Sequence, residues 1–105
     1  MGIEGAESKF DLSSTKPTLS GVDQTGGKVS LSFSKLKSDG INIYSQREGD
    51  ADWVLTGRAT VSPYVDNRPL LVPGKPELRR YTAIYMSKDT EVGQFSDDLV
   101  INCAP

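Results

Sequence analysis

Residues 79–97 read RRYTAIYMSKDTEVGQFSD, and this stretch decides the fold. The run YTAIYM at 81–86 puts two tyrosines and an alanine on one side of a strand, and a threonine, an isoleucine and a methionine on the other. Because both sides carry apolar atoms, the pattern predicts a strand in the middle of a sheet rather than at its edge. The charged turn SKDTE then predicts a hairpin that leads into one last strand.

The same two-residue period recurs on the N-terminal side of this stretch. VSLSF at 29–33 alternates apolar residues with serine, and INIYSQ at 41–46 follows an Asp-Gly turn signal. DWVLTGRATVSPYV at 52–65 is rich in β-branched and aromatic residues, and Gly57 predicts a bulge or a break between two strands there. No segment keeps the spacing of an amphipathic helix. The pattern therefore predicts an all-β protein, a seven-stranded antiparallel β-sandwich.

Length and punctuation predict one domain. The chain has 105 residues, which fits a single core. Residues 1–15 are rich in Gly, Ser and Glu and predict a flexible N-terminal tail, followed by a domain over 16–104. The start Met1-Gly2 and the end NCAP favour a domain of a larger protein. The compartment is unknown on these grounds, and it is extracellular or the cell surface if the larger protein is secreted.

Composition excludes several function classes. The chain has 12 basic and 14 acidic side chains, which gives no general attraction to nucleic acid or to an anionic membrane. It has no histidine, so Ser-His-Asp and Cys-His catalysis and most zinc sites are excluded. Cys103 is the single cysteine, and we expect it to end a strand as a small apolar residue. No apolar stretch reaches transmembrane length, and no cofactor is predicted.

Taken in order, these segments resemble a fibronectin type III domain, a seven-stranded sandwich of the immunoglobulin-like class. The resemblance covers about Pro17 to Asn102. The matching segments are KPTLSGVD (16–23) for the first strand, VSLSF (29–33) for the second, INIYSQ (41–46) and WVLTG (53–57) for the third and its neighbour, RATVSPYV (58–65) for the fifth, LRRYTAIYM (78–86) for the sixth, and GQFSDDLVI (93–101), with its Gly-x-x-Ser start, for the last.

The resemblance implies particular roles for three aromatic residues. Tyr81 would bury its ring and return its hydroxyl to the backbone of the preceding connection, which is the tyrosine corner of these sandwiches. Phe33 stands where the family usually has a core tryptophan, and Trp53 would compensate from the neighbouring hairpin. The implied function is that of a non-catalytic spacer or protein-interaction module, with a protein partner or neighbouring domains of the parent chain.

Two sets of residues are candidates for a contact surface. Trp53, Tyr64, Arg68 and Lys88 lie at the predicted loop ends. A basic group around the proline-rich connection DNRPLLVPGKPEL would bind phosphate, a sulfated sugar or an acidic partner. In the alternative interpretation, the arginine stems cover apolar surface and their charged heads stay in water. The basic group consists of Arg68, Lys75, Arg79 and Arg80, with Lys88 beyond.

Two other functions stay open at this point. A carbohydrate-binding sandwich would use Trp53, Tyr44 and Tyr64 as platforms for polysaccharide stacking, and the exposure of Trp53 would separate it from the first interpretation. An enzyme would have to use the carboxylates of EGDAD at 48–52, which are typical of a solvated hairpin tip. Asp97 and Asp98 are adjacent in a strand and therefore point to opposite faces, so they do not form an acid–base pair.

Overall fold

The computed structural model describes residues 14–105, and these form two antiparallel β-sheets with no α-helix. The all-β prediction is therefore confirmed. Except for residues 14 and 15, the predicted N-terminal tail lies outside the described residues. The strands are β1 (Leu19–Asp23), β2 (Val29–Phe33), β3 (Gly40–Arg47), β4 (Val54–Ala59), β5 (Tyr64–Asp66), β6 (Glu77–Ser87), β7 (Thr90–Val92) and β8 (Leu99–Cys103).

The smaller sheet has the order β1-β2-β5 and the larger one the order β4-β3-β6, with β7 and β8 both paired to the far side of β6. β3 pairs with β6 along its whole length, from Gly40 opposite Met86 to Arg47 opposite Arg79. Because β6 has partners on both sides, the prediction of a central strand is confirmed. Its length of 11 residues lets it pair with β8 at one end and β7 at the other.

The core lies between the two sheets and follows the predicted alternation. Val29 and Leu31 of β2 are fully buried, whereas the serines between them face outward or toward the edge. From the larger sheet, Ile41, Ile43 and the residues of β6 at 81, 83 and 85 pack against them. Cys103 ends β8 and is completely buried, as predicted, and burial raises the pKa of its thiol.

Gly57 marks a bulge, and the alternative of a break between two strands is wrong. β4 continues through Gly57, but the register shifts so that Ile43 lies opposite Gly57 and Tyr44 opposite Leu55. Thr56 is thus the extra residue of the bulge. The Tyr64 ring packs directly on Gly57, and a Cβ atom there would collide with the Tyr64 hydroxyl. Glycine at this position therefore lets the two sheets approach each other.

Two strand boundaries differ from the prediction. Arg58 and Ala59 belong to β4, so only Tyr64 and Val65 of the predicted fifth strand lie in β5, which extends to Asp66 in the other sheet. The chain crosses between the sheets at residues 60–63, where Ser62–Pro63 is a cis peptide. The predicted last strand starts at Leu99 as β8, and a short strand that was not predicted, β7, begins within the predicted turn, with residues 93–98 between the two. Within that segment Ser96 still pairs with β6, because its amide donates to the Ala83 carbonyl at 2.7 Å and its Oγ accepts from the Ala83 amide at 2.9 Å.

The hairpin between β6 and β7 turns on two residues that are not glycine. Lys88 has φ 52° and Asp89 has φ 65°, and Ser87 pairs with Thr90, so this is a two-residue turn with both central residues left-handed. Left-handed backbone is unfavourable for a residue with a Cβ atom. We expect Lys88→Gly to raise the free energy of unfolding by about 0.5–1 kcal/mol in urea denaturation. Lys75→Gly, in an exposed loop residue without positive φ, should leave it unchanged or lower it, and a gain there as well would contradict this account.

Candidate functional site

The larger sheet has a face turned away from the core, called here the outer face, and it carries exposed apolar side chains. Leu55 is 54%, Leu78 55% and Val100 52% exposed. The alternation of the strands requires this placement, because residues 79 and 81 of β6 point inward and their neighbours outward. The outer face consists of Asn42, Tyr44 and Gln46 from β3, Leu55 and Arg58 from β4, Leu78, Arg80 and Thr82 from β6, and Val100 from β8, together with Trp53 and Phe95 from the adjoining segments.

Three aromatic rings on this face surround a cavity of 320 Å³, called here the aromatic cavity. The rings of Tyr44 and Phe95 meet edge to face, with centroids 5.5 Å apart. Phe95 reaches this position because the interruption between β7 and β8 folds over β6, where Thr82 Oγ1 donates to the Ser96 carbonyl at 2.9 Å. Trp53 is 36% exposed and forms another wall. The lining consists of Tyr44, Trp53, Thr82, Phe95, Ser96 and Asp98.

Arg80 lies against two walls of this cavity. Its guanidinium carbon is 5.7 Å from the centre of the Trp53 ring, within the range of a cation–π contact. Its Nη2 donates to Asp98 Oδ2 at 3.0 Å, and its Nη1 donates to Gln46 at 3.3 Å. The side chains of Arg80 and Asp98 are 48% and 46% exposed, so solvent screens the pair and its net stabilisation is small.

Tyr44 is fixed from its other end by a carboxylate. Its hydroxyl donates a short hydrogen bond to Glu91 Oε2, which also accepts from Asn42 Nδ2 at 2.9 Å. The hydrogen bond to Glu91 raises the pKa of the Tyr44 hydroxyl, and burial adds to the same effect. Arg58 Nε donates to Asn42 at 3.2 Å and so orients the amide. The Tyr44 ring is therefore held in place before any ligand arrives.

Trp53 lies on the outer face, so the expectation that it fills the core is wrong. It precedes β4, beyond the Ser45–Val54 pair that ends the β3–β4 ladder. Phe33, at the end of β2, is partly buried and packs against the edge of the core. Trp53 is thus exposed enough to contact a ligand.

The predicted basic group does not form a patch. Arg79 and Arg80 are adjacent in β6 and therefore point to opposite faces. Arg79 is completely buried, so its assignment to a contact surface is wrong. Lys88 is exposed in the hairpin at the far end of β6, and Arg68 is held by a carboxylate of the interior. Of these basic residues, Arg80 is the one that reaches the aromatic cavity.

Arg79 is the centre of a buried ionic cluster at one end of the sandwich. Its Nε donates to Glu77 at 2.6 Å, and its Nη1 donates to the Gly27 carbonyl at 2.7 Å and to Asp66 at 3.3 Å. Its Nη2 donates to the carbonyls of Arg68 and Pro69. No buried side-chain nitrogen or oxygen among the described residues lacks a hydrogen bond. The cluster consists of Asp66, Arg68, Glu77, Arg79 and Tyr81, and it joins both sheets to the proline-rich connection.

The Tyr81 hydroxyl donates to Asp66 Oδ2 at 2.7 Å, so the expected bond to the backbone of the connection is wrong. The ring is buried as predicted. Burial opposes ionisation of Asp66, but the hydrogen bonds from Arg68 and Tyr81 outweigh it and lower its pKa. Glu77 has a lowered pKa for the same reason, since burial is outweighed by the Leu71 amide and by Arg79. Both carboxylates therefore stay ionised opposite Arg79.

The remaining predicted contact residues do not gather into one site. Tyr64 is half-buried, and its hydroxyl donates to the Thr56 carbonyl at 3.4 Å between the sheets. Arg68 donates to both oxygens of Asp66. In residues 14–105, no group of three or more Asp, Glu or Cys side chains is arranged to hold a metal ion. In the same part of the chain, no helix has the length and apolarity to cross a membrane.

Phe95 and Asp98 are members of the cavity that the sequence did not indicate. A large apolar ring in the otherwise polar run GQFSDD was a usable signal, because such a ring is exposed unless the loop folds back. Asp97 and Asp98 precede β8 instead of lying in a strand as predicted, and they pair with different residues, Lys16 at 2.7 Å and Arg80 at 3.0 Å. The partnership of Asp98 with Arg80 depends on the pairing of β6 with β8, which the sequence alone does not fix.

No protein-family model matches the chain. No curated protein resembles it at a significant level.

Proposed function

We propose that the chain is a non-catalytic protein-interaction module, a fibronectin type III-like β-sandwich that contacts its partner through the outer face. If β7 and β8 are counted as two parts of one interrupted strand, seven strands divide three against four between the sheets, which supports the family resemblance. In this proposal a protein partner, or a neighbouring domain of the parent chain, covers the outer face.

The observation that carries the proposal is the combination of exposed apolar and aromatic side chains on one face. Trp53 and Phe95 are 36% and 47% exposed, and Leu55 and Val100 are more than half exposed. Monomeric proteins rarely expose contiguous apolar patches unless these bind something. Aromatic residues and arginine are also enriched at the centres of protein interfaces. Exposed carboxylates such as Glu91 and Asp98 give this patch a polar rim.

The arrangement of the buried ionisable groups supports a non-catalytic role. Asp66, Glu77 and Arg79 are the charged side chains buried in the described part of the chain, and they bond to one another and to backbone groups inside the sandwich. A general acid or base has to reach a substrate proton within hydrogen-bond distance. Asp66, Glu77 and Arg79 face the interior of the sandwich, so their role in this proposal is to stabilise the fold.

The carbohydrate-binding alternative keeps one favourable observation. Tyr44 and Trp53 line the same cavity, as stacking on a sugar ring requires. Tyr64, the third predicted platform, packs on Gly57 between the sheets instead. Two of the three predicted platforms therefore share the cavity, and the exposed Leu55, Leu78 and Val100 elsewhere on the outer face suit a protein partner, so the protein-interaction proposal fits better.

A random-peptide display library selected on the immobilised protein tests the proposal. We expect enriched peptides whose affinity falls at least about tenfold in Trp53→Ala. Val22→Ala is the matched control, because Val22 is 63% exposed on the smaller sheet. Peptides that bind Trp53→Ala and the wild type equally would contradict the proposal. Binding to a panel of neutral polysaccharides that is lost in Trp53→Ala, with no peptide enriched, would favour the carbohydrate alternative.

A further inference from the structure

The aromatic cavity already has a cation against its wall. Arg80 contacts Trp53 through its guanidinium and Asp98 through an ion pair, and both of these residues line the cavity. Arg80 itself lines a second cavity of 520 Å³, together with Gln46, Arg47, Glu48 and Leu78. Its side chain therefore lines the second cavity and contacts two residues that line the aromatic cavity.

The bonds that hold Arg80 there are weak and exposed. Its side chain is 48% exposed, and its polar contacts are one carboxylate and a 3.3 Å bond to an amide oxygen. The adjacent arginine in the sequence, Arg79, is completely buried and makes its bonds to fixed interior groups. An exposed ion pair and an exposed cation–π contact each contribute little, so Arg80 can leave the Trp53 ring at small cost.

The surroundings favour a positive ligand over a negative one. Asp98 lines the cavity, Glu91 accepts the Tyr44 hydroxyl at its edge, and Glu48 lies on the far side of Arg80. Three aromatic faces next to carboxylates are suited to a guanidinium, which stacks on rings and pairs with carboxylates at once. Within residues 14–105, no basic side chain lines the aromatic cavity and Asp98 does, so an anionic ligand there would lie beside a carboxylate.

From these contacts we infer that the aromatic cavity binds an arginine side chain of the protein partner, and that Arg80 competes in the free protein for two of its lining residues, Trp53 and Asp98. The incoming guanidinium displaces Arg80 from Trp53 and pairs with Asp98. The inference rests on the proposed function, because it names the partner chemistry of the same face. Arg80 then acts as an internal competitor, so the apparent affinity is the intrinsic affinity multiplied by the fraction of molecules in which Arg80 is displaced.

The test uses the fluorescence of Trp53, which is the single tryptophan of the chain and lies in the site. The probe is the peptide acetyl-Gly-Leu-Arg-Leu-Gly-amide, and a peptide with citrulline in place of arginine is the neutral control of the same shape. We expect Arg80→Thr to bind the arginine peptide about fivefold more tightly than the wild type, because the competitor is removed. The citrulline peptide should bind more weakly to both proteins.

Two further variants separate this effect from a general change in charge. Lys28→Met removes one positive charge from an exposed residue in the turn between β1 and β2 and should leave the affinity within about twofold, since solvent and salt screen it. Arg80→Thr combined with Asp98→Asn should lose the gain, because the carboxylate that receives the guanidinium is absent. Unfolding midpoints of all variants establish that each one is folded.

Three results would overturn the inference. In the first, the citrulline peptide binds as well as the arginine peptide. In the second, the affinity for the arginine peptide rises no more in Arg80→Thr than in Lys28→Met. In the third, the higher affinity of Arg80→Thr is kept when Asp98→Asn is added. If one of these occurs while a peptide from the display library still depends on Trp53, the arginine site is wrong and the proposed function stands. If no peptide binds through Trp53, both fail.

Discussion

Replacing Arg79 with methionine should lower the free energy of unfolding by about 3–5 kcal/mol, the range found when one partner of a buried ion pair is removed. Arg79 is completely buried and bonds to Glu77, to Asp66 and to the carbonyl of Gly27. Methionine fills much of the same volume but donates nothing, so two carboxylates lose a positive partner and three carbonyls lose a donor. Urea denaturation followed by circular dichroism measures the loss.

Arg80→Met is the matched control for this variant. The two arginines are adjacent in β6, but Arg80 points to the outer face and its side chain is 48% exposed. We expect Arg80→Met to cost less than about 1 kcal/mol, as for other exposed ion pairs. Equal losses in the two variants would mean that the buried ionic cluster contributes no more than a surface pair, and the account of this end of the sandwich would be wrong.

Gly27→Ala should also destabilise strongly, by about 2–5 kcal/mol. Gly27 has φ 93°, and a Cβ atom there would lie 2.8 Å from the Leu70 amide nitrogen and 2.9 Å from the Pro69 carbonyl carbon. These neighbours are backbone atoms of the proline-rich connection, so they have little freedom to move aside. Its carbonyl also accepts from Arg79, so the same substitution disturbs the buried ionic cluster.

Gly26→Ala isolates the effect of this close approach from that of backbone conformation. Gly26 has φ 67°, but nothing lies within 4 Å of the position of its Cβ atom. We expect it to cost about 1 kcal/mol, which is the penalty for a left-handed residue with a side chain. If thermal and urea unfolding give both alanine variants the same stability, the packing of the connection against Gly27 is not tight.

Much of the fold follows from the alternation in single strands. The run 81–86 predicts a central strand because it carries apolar side chains on both faces of the strand. β6 has that central position, with β3 on one side and β8 on the other. The serine alternation at 29–33 predicts which side of β2 is buried. Strand ends are less well determined, since they depend on cross-strand partners. The late start of β8 at Leu99 is not visible in the composition, because residues 93–98 contact β6 through the hydrogen bonds of Ser96 with Ala83 and not through a regular ladder.

The site was predicted less completely than the fold. The sequence indicates both Trp53 and Arg80 as contact residues. Their contact with each other depends on two strand pairings, β4 with β3 and β3 with β6, whose registers bring the residue before β4 close to Arg80. The burial of Arg79 was missed although the residues at 77, 79 and 81 share one face by period two. A charged residue at an inward position requires a partner, and Asp66, the partner, is contributed by the other sheet. Such pairs across sheets do not appear in local sequence patterns.

The outer face as a contact surface is the central claim, and a nuclear magnetic resonance titration tests it most directly. The ¹⁵N-labelled protein is titrated with the tightest peptide from the display selection, and the backbone amide and Trp53 indole shifts are followed. We predict the largest changes at Tyr44, Trp53, Leu55 and the 93–98 segment, with the smaller sheet unchanged. Changes centred on β1, β2 or the proline-rich connection, with the Trp53 indole unmoved, would contradict it.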